Sequence, residues 1–209
     1  MGSWRSGYSM SRRAGWAPAG AVVVGVIGLV FNIVRHDGDI RAGIFPWSMT
    51  VVVLAFAACA LAVLHAHWPQ PSRWVIVGAW WTAAALVSMG IAFASIGVGA
   101  IFDVDEEELG AAAIFLVLVM AFGLVSMTPA LAVLAIGMER EKRLRWWGRL
   151  NAWIAAPVLP LLLIFGGLFE DTVETVGSAV LIGTFGAAWV ALGLAVAMAM
   201  PPTTKEPPT

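Results

Sequence analysis

Long apolar runs, separated by short polar connections, dominate the pattern along this chain. Six segments carry no Asp, Glu, Lys or Arg: Pro18–Val34, Pro46–Leu64, Trp74–Phe102, Leu109–Gly137, Leu150–Phe169 and Val176–Met200. A hydrocarbon core about 30 Å thick is crossed by roughly 17–25 residues of α-helix. None of the six alternates polar and apolar residues over strand length, as a lipid-embedded barrel strand does. In lipid each backbone N–H and C=O must be paired within the structure, and a helix achieves this alone. The pattern therefore predicts an all-α integral membrane protein, with six transmembrane helices arranged as three hairpins. Residues 1–17 form a basic arm, 18–200 the six-helix bundle, and 201–209 a Pro/Thr-rich tail (PPTTKEPPT) expected to be disordered.

The third, fourth and sixth segments exceed what the bilayer requires, so they tilt or emerge from it. The first has the look of a signal sequence, since Arg5, Arg12 and Arg13 precede it. It runs uncharged from Ala14 to Val34 with no A-x-A site after it, and is longer than a signal core. It reads as a retained span. A shift of 67 residues aligns Phe102-Asp103 with Phe169-Glu170, and Leu109-Gly110 with Val176-Gly177. The shift also sets Gly43 against Gly110, which allows a threefold hairpin repeat.

Charge orients this bundle. The arm, the His65–Arg73 and Met138–Arg149 connections and the tail hold ten of the twelve basic residues. The alternate connections, Arg35–Phe45, Asp103–Glu108 and Glu170–Thr175, hold ten of the thirteen acids, with Arg35 and Arg41 as their bases. Basic loops stay in the cytoplasm, so both termini are predicted inside and the acids outside. Trp16, Trp68, Trp74, Trp146, Trp147 and Trp153 fall at the basic ends of the segments, and Trp47 at the acidic side, as interfacial residues do. Trp80, Trp81 and Trp189 lie deeper and are read as packing residues. The Ala-, Val-, Gly- and Trp-rich usage points to a bacterial plasma (inner) membrane as the location.

Composition narrows the function classes. The chain is 60% hydrophobic and 12% charged, about half the charge of a soluble domain. Net charge is −1, with no basic excess suited to nucleic acid. A single cysteine, Cys59, lies within an apolar run and is read as a packing residue. No P-loop, H-E-x-x-H, C-x-x-C or G-x-S-x-G pattern is present. No ionisable residue sits at mid-span, where proton relays and intramembrane acid–base chemistry place one. His65 and His67, at i and i+2, point to different sides of a helix and do not form a haem-ligating pair. The reading is therefore non-enzymatic, with no catalytic residue and no cofactor.

Two constellations remain. Asp103, Asp105, Glu106, Glu170 and Asp171 lead an outer acidic cluster whose hard oxygens suit Ca²⁺ or Mg²⁺ if the hairpins pack side by side. The connection bearing Arg140, Lys142, Arg143, Arg145, Trp146, Trp147 and Arg149 suits anionic headgroups or an acidic protein surface. Pro129, Pro157 and Pro160 are expected to kink the fourth and fifth helices. Small-residue pairs Ala21/Gly25, Ser88/Ala92, Gly90/Ala94 and Gly183/Ala187 are expected to form helix seams. These features predict an accessory, regulatory or scaffold membrane subunit. The alternative is a small permease or substrate-binding component, with a cavity near the kinks that reaches Ser126, Thr128 and Pro157.

Overall fold

The structure is a computed structural model that describes the backbone of residues 15–28, 30–31, 44–67, 70–102, 106–168 and 172–199. Side chains are described over 15–28, 30–31, 44–67, 70–99, 114–158 and 183–199. Among these residues the chain is all-helical: α1 Gly15–Gly28, α2 Phe45–Ala66, α3 Arg73–Phe102, α4 Glu106–Glu141, α5 Trp146–Leu168 and α6 Thr172–Ala197. Three helices are long and apolar enough to cross a membrane: Phe45–Ala66, Arg73–Gly99 and Ile114–Glu141. Shorter apolar helices cover Gly15–Gly28 and Gly183–Ala197 among the described residues. The outer acidic residues Asp103, Asp105, Glu170 and Asp171, the basic arm up to Ala14 and the Pro/Thr-rich tail lie outside the described residues.

α4 is longer at both ends than its uncharged core. It begins at Glu106, so Glu106, Glu107 and Glu108 form a helical first turn. Acids are favoured there, because the unpaired N–H groups carry partial positive charge. At its other end α4 absorbs Met138–Glu141, and α5 starts at Trp146, which shortens the basic connection to residues 142–145. Lys142 makes this tight exit in the left-handed region (φ 52°), its N–H donating to Met138 O at 2.9 Å. Neither Pro129 nor Pro157 ends its helix, and both are exposed. Membrane helices tolerate proline in this way because neighbours satisfy the freed carbonyl.

Close approaches fix how the helices run. A Cβ on Gly78 would lie 2.5 Å from Leu134 Cα, and one on Gly137 2.6 Å from Val75 N, so α3 and α4 are antiparallel with their backbones nearly touching. Gly97 lies against Trp47, and Gly90 against Val53, which makes α2 and α3 antiparallel too. Gly25 meets Val52 and Gly28 meets Ser48, while Gly15 meets the Gly193–Ala197 backbone; α1 is thus antiparallel to both α2 and α6. Gly148 against Ala195 brings the start of α5 to the end of α6. Of the seams expected from sequence, Gly25 and Gly90 are filled, as is Ser88, which lies against Gly123. At Gly183/Ala187 both residues are exposed, and among the described residues nothing lies within 4 Å of a Cβ at Gly183.

Size is distributed opposite to a soluble core. Small residues such as Ala60, Ala79, Ala85, Ala130, Ala135 and Ala152 are fully buried, while Val23, Ile27, Phe115, Phe122 and Val125 face outward. Lipid, as apolar as these side chains, removes the drive to hide them, and close helix contact favours small residues inside. Larger buried groups fill the centre. The Phe56 and Trp189 rings stack at 5.0 Å and 7°, and Phe185 meets both edge-on at 6.0 and 6.2 Å. Trp189 is a packing residue, as its depth suggested. Trp80 and Trp81 are not: Trp80 is 59% exposed and Trp81 is also exposed.

Candidate functional site

The basic connection divides into an inward and an outward set. Glu141 follows Gly137 by four residues and so shares its face of α4. Gly137 brings that face against the start of α3, and one turn on the Glu141 carboxylate accepts a hydrogen bond from the Ser72 N–H. Ser72 Oγ also accepts from the Val75 N–H at 3.4 Å. The first turn of α3 therefore receives an N-cap from its own chain and a carboxylate from α4, which satisfies orphan donors and opposes the helix dipole. Arg143 completes the tie. Its Nη1 donates to His67 O at 2.6 Å, and its Nε lies 3.8 Å from Glu141 Oε2. The α2–α3 connection is held at both ends by residues of the α4–α5 connection.

Two more basic residues are engaged locally. The Arg140 guanidinium lies 5.0 Å from the centre of the Trp74 ring, a cation–π arrangement. Arg149, mostly buried, pairs with Glu139 at 3.5 Å. Trp147 is half-buried, and its carbonyl accepts from Asn151 Nδ2 at 2.7 Å. Lys142, Arg145 and Trp146 point away, with Trp146 68% exposed. Sequence reasoning grouped seven residues as one contact surface. The structure assigns Arg140, Arg143 and Arg149 to internal ties and leaves Lys142, Arg145 and Trp146 outward. It also brings in Glu139, Glu141, Ser72 and His67, which the sequence reading did not select. The available signal was Glu141 four residues after Gly137, together with a Ser72 cap ahead of an apolar run.

His67 sits at the centre of this clasp and is fully buried, whereas His65 is exposed, as their spacing predicts. Its Nδ1 lies 2.8 Å from Val63 O, so Nδ1 carries the proton and donates. Its Nε2 has no hydrogen-bond partner among the described residues, and neither does Glu141 Oε2. Burial pushes the His67 pKa below the usual histidine value. The Val63 carbonyl and the Glu141 charge oppose that, and the Arg143 charge adds to it.

Elsewhere the described interior is apolar. Ser126 is buried beside Met127, Ala130 and Leu131, and Thr128 is half-buried. Of the prolines expected to open a cavity here, Pro129 and Pro157 face outward instead, and the side chain of Pro160 lies outside the described residues. A groove of about 280 Å³ lies between α1 and α2, lined by Val24, Ile27, Ile44, Trp47, Ser48 and Val51. Its one polar side chain, Ser48, donates to Phe45 O at 2.8 Å. Two buried polar atoms, Thr82 Oγ1 and Trp189 Nε1, have no hydrogen-bond partner among the described residues. Among the side chains described, no group of three His, Cys, Asp or Glu comes together; of the acidic cluster only the helical placement of Glu106 is described. No family model, curated protein or solved structure matches this chain.

Proposed function

We propose that this chain is a non-catalytic, multi-pass component of the bacterial plasma membrane, an accessory, regulatory or scaffold subunit that works through lateral helix contacts. In this reading it has six spans, both termini in the cytoplasm and the clasp at the cytoplasmic face. The segregation of ten basic residues from ten acidic ones supports that orientation. The observation that carries the functional reading is the open seam on α6. Gly183 and Ala187, four residues apart, are exposed, and among the described residues no neighbour fills the space above Gly183. Gly78 and Gly137, by contrast, are occupied by backbone. A small-residue pair of this spacing suits the close approach of another helix.

Lys142, Arg145 and Trp146 supply a second contact surface in this proposal, toward anionic headgroups. Each basic residue near such a surface contributes about 1 kcal/mol. The permease alternative has less support. The residues that would line its cavity sit among Met127, Ala130 and Leu131, or on exposed helix faces. Isolation from native membranes in mild detergent tests the proposal. A companion subunit should accompany the wild type and be lost from Gly183→Leu, with the fold of the variant unchanged. A wild type that is monomeric and without companion at every detergent strength contradicts it.

A further inference from the structure

We propose that the clasp joining the α2–α3 and α4–α5 connections is an acid-opened latch, closed while His67 is neutral and released when His67 takes a proton. The argument begins with what is shared. Glu141 accepts from the Ser72 N–H through one oxygen and faces Arg143 through the other. Arg143 in turn holds the carbonyl of His67. The imidazole of that same residue is buried, with Nδ1 committed to Val63 O and Nε2 without a hydrogen-bond partner among the described residues.

A proton arriving on Nε2 creates a buried cation with an unsatisfied donor, which is costly in either of two ways. If the ring stays, it lies beside the like charge of Arg143. If it turns to the carboxylate acting on it, it draws Glu141 from Ser72 and Arg143. Both routes weaken the tie at the first turn of α3. Among the described residues the charged groups acting on the imidazole are Glu141 at the end of α4 and Arg143 just beyond it. His65 on its own helix and Arg73 at the start of α3 are exposed.

The sign follows from linkage. Burial depresses the His67 pKa while the latch is closed, and opening returns it toward its free value near 6.5. The open form then binds protons more readily, so closure is favoured above that value and opening grows as pH falls below it. The latch itself does not depend on the subunit role proposed above. Only the statement that it senses cytoplasmic pH rests on the proposed orientation.

Hydrogen exchange of the full chain in lipid nanodiscs tests the latch, read on the segment 70–76 and corrected for the intrinsic pH dependence of exchange. From pH 7.5 to 5.5, wild type should lose protection there, by up to about tenfold per pH unit below the free histidine value. In His67→Gln the same segment should keep a flat profile, which separates His67 from any protonation of Glu141. Protection that is independent of pH in wild type, or an equal loss in His67→Gln, overturns the proposal. Should that variant not fold, imidazole NMR titration of wild type decides. The midpoint of His67 must lie below the free histidine value near 6.5 and coincide with the loss of protection; a midpoint at the free value overturns it.

Discussion

The two halves of α4 differ in apolar character, Ile114–Val125 having no polar side chain, and they meet different fates. From Ser126 to Glu141 the helix is held: Met127, Leu131, Leu134, Ala135 and Met138 are fully buried, and Gly137 touches the α3 backbone. From Ile114 to Val125 it is bare, with Ile114 66% and Val125 70% exposed and only Gly123 among these residues buried, against Ala85, Ser88 and Met89. Greater hydrophobicity does not bury a half, for the bare one is the more apolar. What does is where glycine lets backbones approach and where a polar group spans the gap. In a lipid solvent that outcome is expected, because burying apolar surface against protein gains little over leaving it in lipid.

Substitutions at the held half should therefore cost most. Gly137→Leu places a side chain into the Val75 backbone and is expected to destabilise the bundle by at least about 1–3 kcal/mol. Thermal unfolding in nanodiscs measures this, and Val125→Leu on the bare half provides the contrast. Next comes the clasp. Glu141→Ala removes the acceptor for the Ser72 N–H and the carboxylate facing Arg143, for an expected loss of about 1–3 kcal/mol. In double-mutant cycles Glu141→Ala and Arg143→Ala should be non-additive, since they share one network. Truncation on the bare half, Val125→Ala, should stay within about 0.5 kcal/mol of wild type. Lys142→Gly sharpens the comparison at the smallest scale. Glycine relieves the left-handed backbone at φ 52° but adds unfolded-state freedom, so stability should rise by less than about 1 kcal/mol.

Much of this fold is legible in the sequence because lipid imposes simple rules. Helices follow from uncharged length, and the cores of α2 and α3 coincide with Pro46–Leu64 and Trp74–Phe102. Helix ends are less legible. Charged residues were read as connections, yet Glu106–Glu108 and Glu139–Glu141 continue α4, since helical turns outside hydrocarbon carry charge without penalty. Seams were sought as pairs of small residues. The close α3–α4 contacts instead use Gly78 and Gly137, whose partners lie on another helix and cannot be paired by spacing along one. Prolines were read as openings, but the exposed faces of Pro129 and Pro157 leave the interior closed around Ser126.

The site was half legible for a related reason. Arg140, Arg143, Arg145 and Arg149 look alike in a basic run, and only three-dimensional neighbours separate an arginine paired with Glu139 from one facing outward. His67 stood out in the sequence only for its i, i+2 spacing from His65. Its burial depends on the α4–α5 connection folding over it, a contact 76 residues distant in sequence.

Side-specific labelling with a membrane-impermeant maleimide, in a Cys59→Ala background, tests the central claim of a bilayer-spanning bundle with its clasp in the cytoplasm. Arg145→Cys should react only in inverted vesicles, and Asp105→Cys only in right-side-out ones. Both cysteines reacting from the same side, or Arg145→Cys labelled from outside sealed cells, would contradict it.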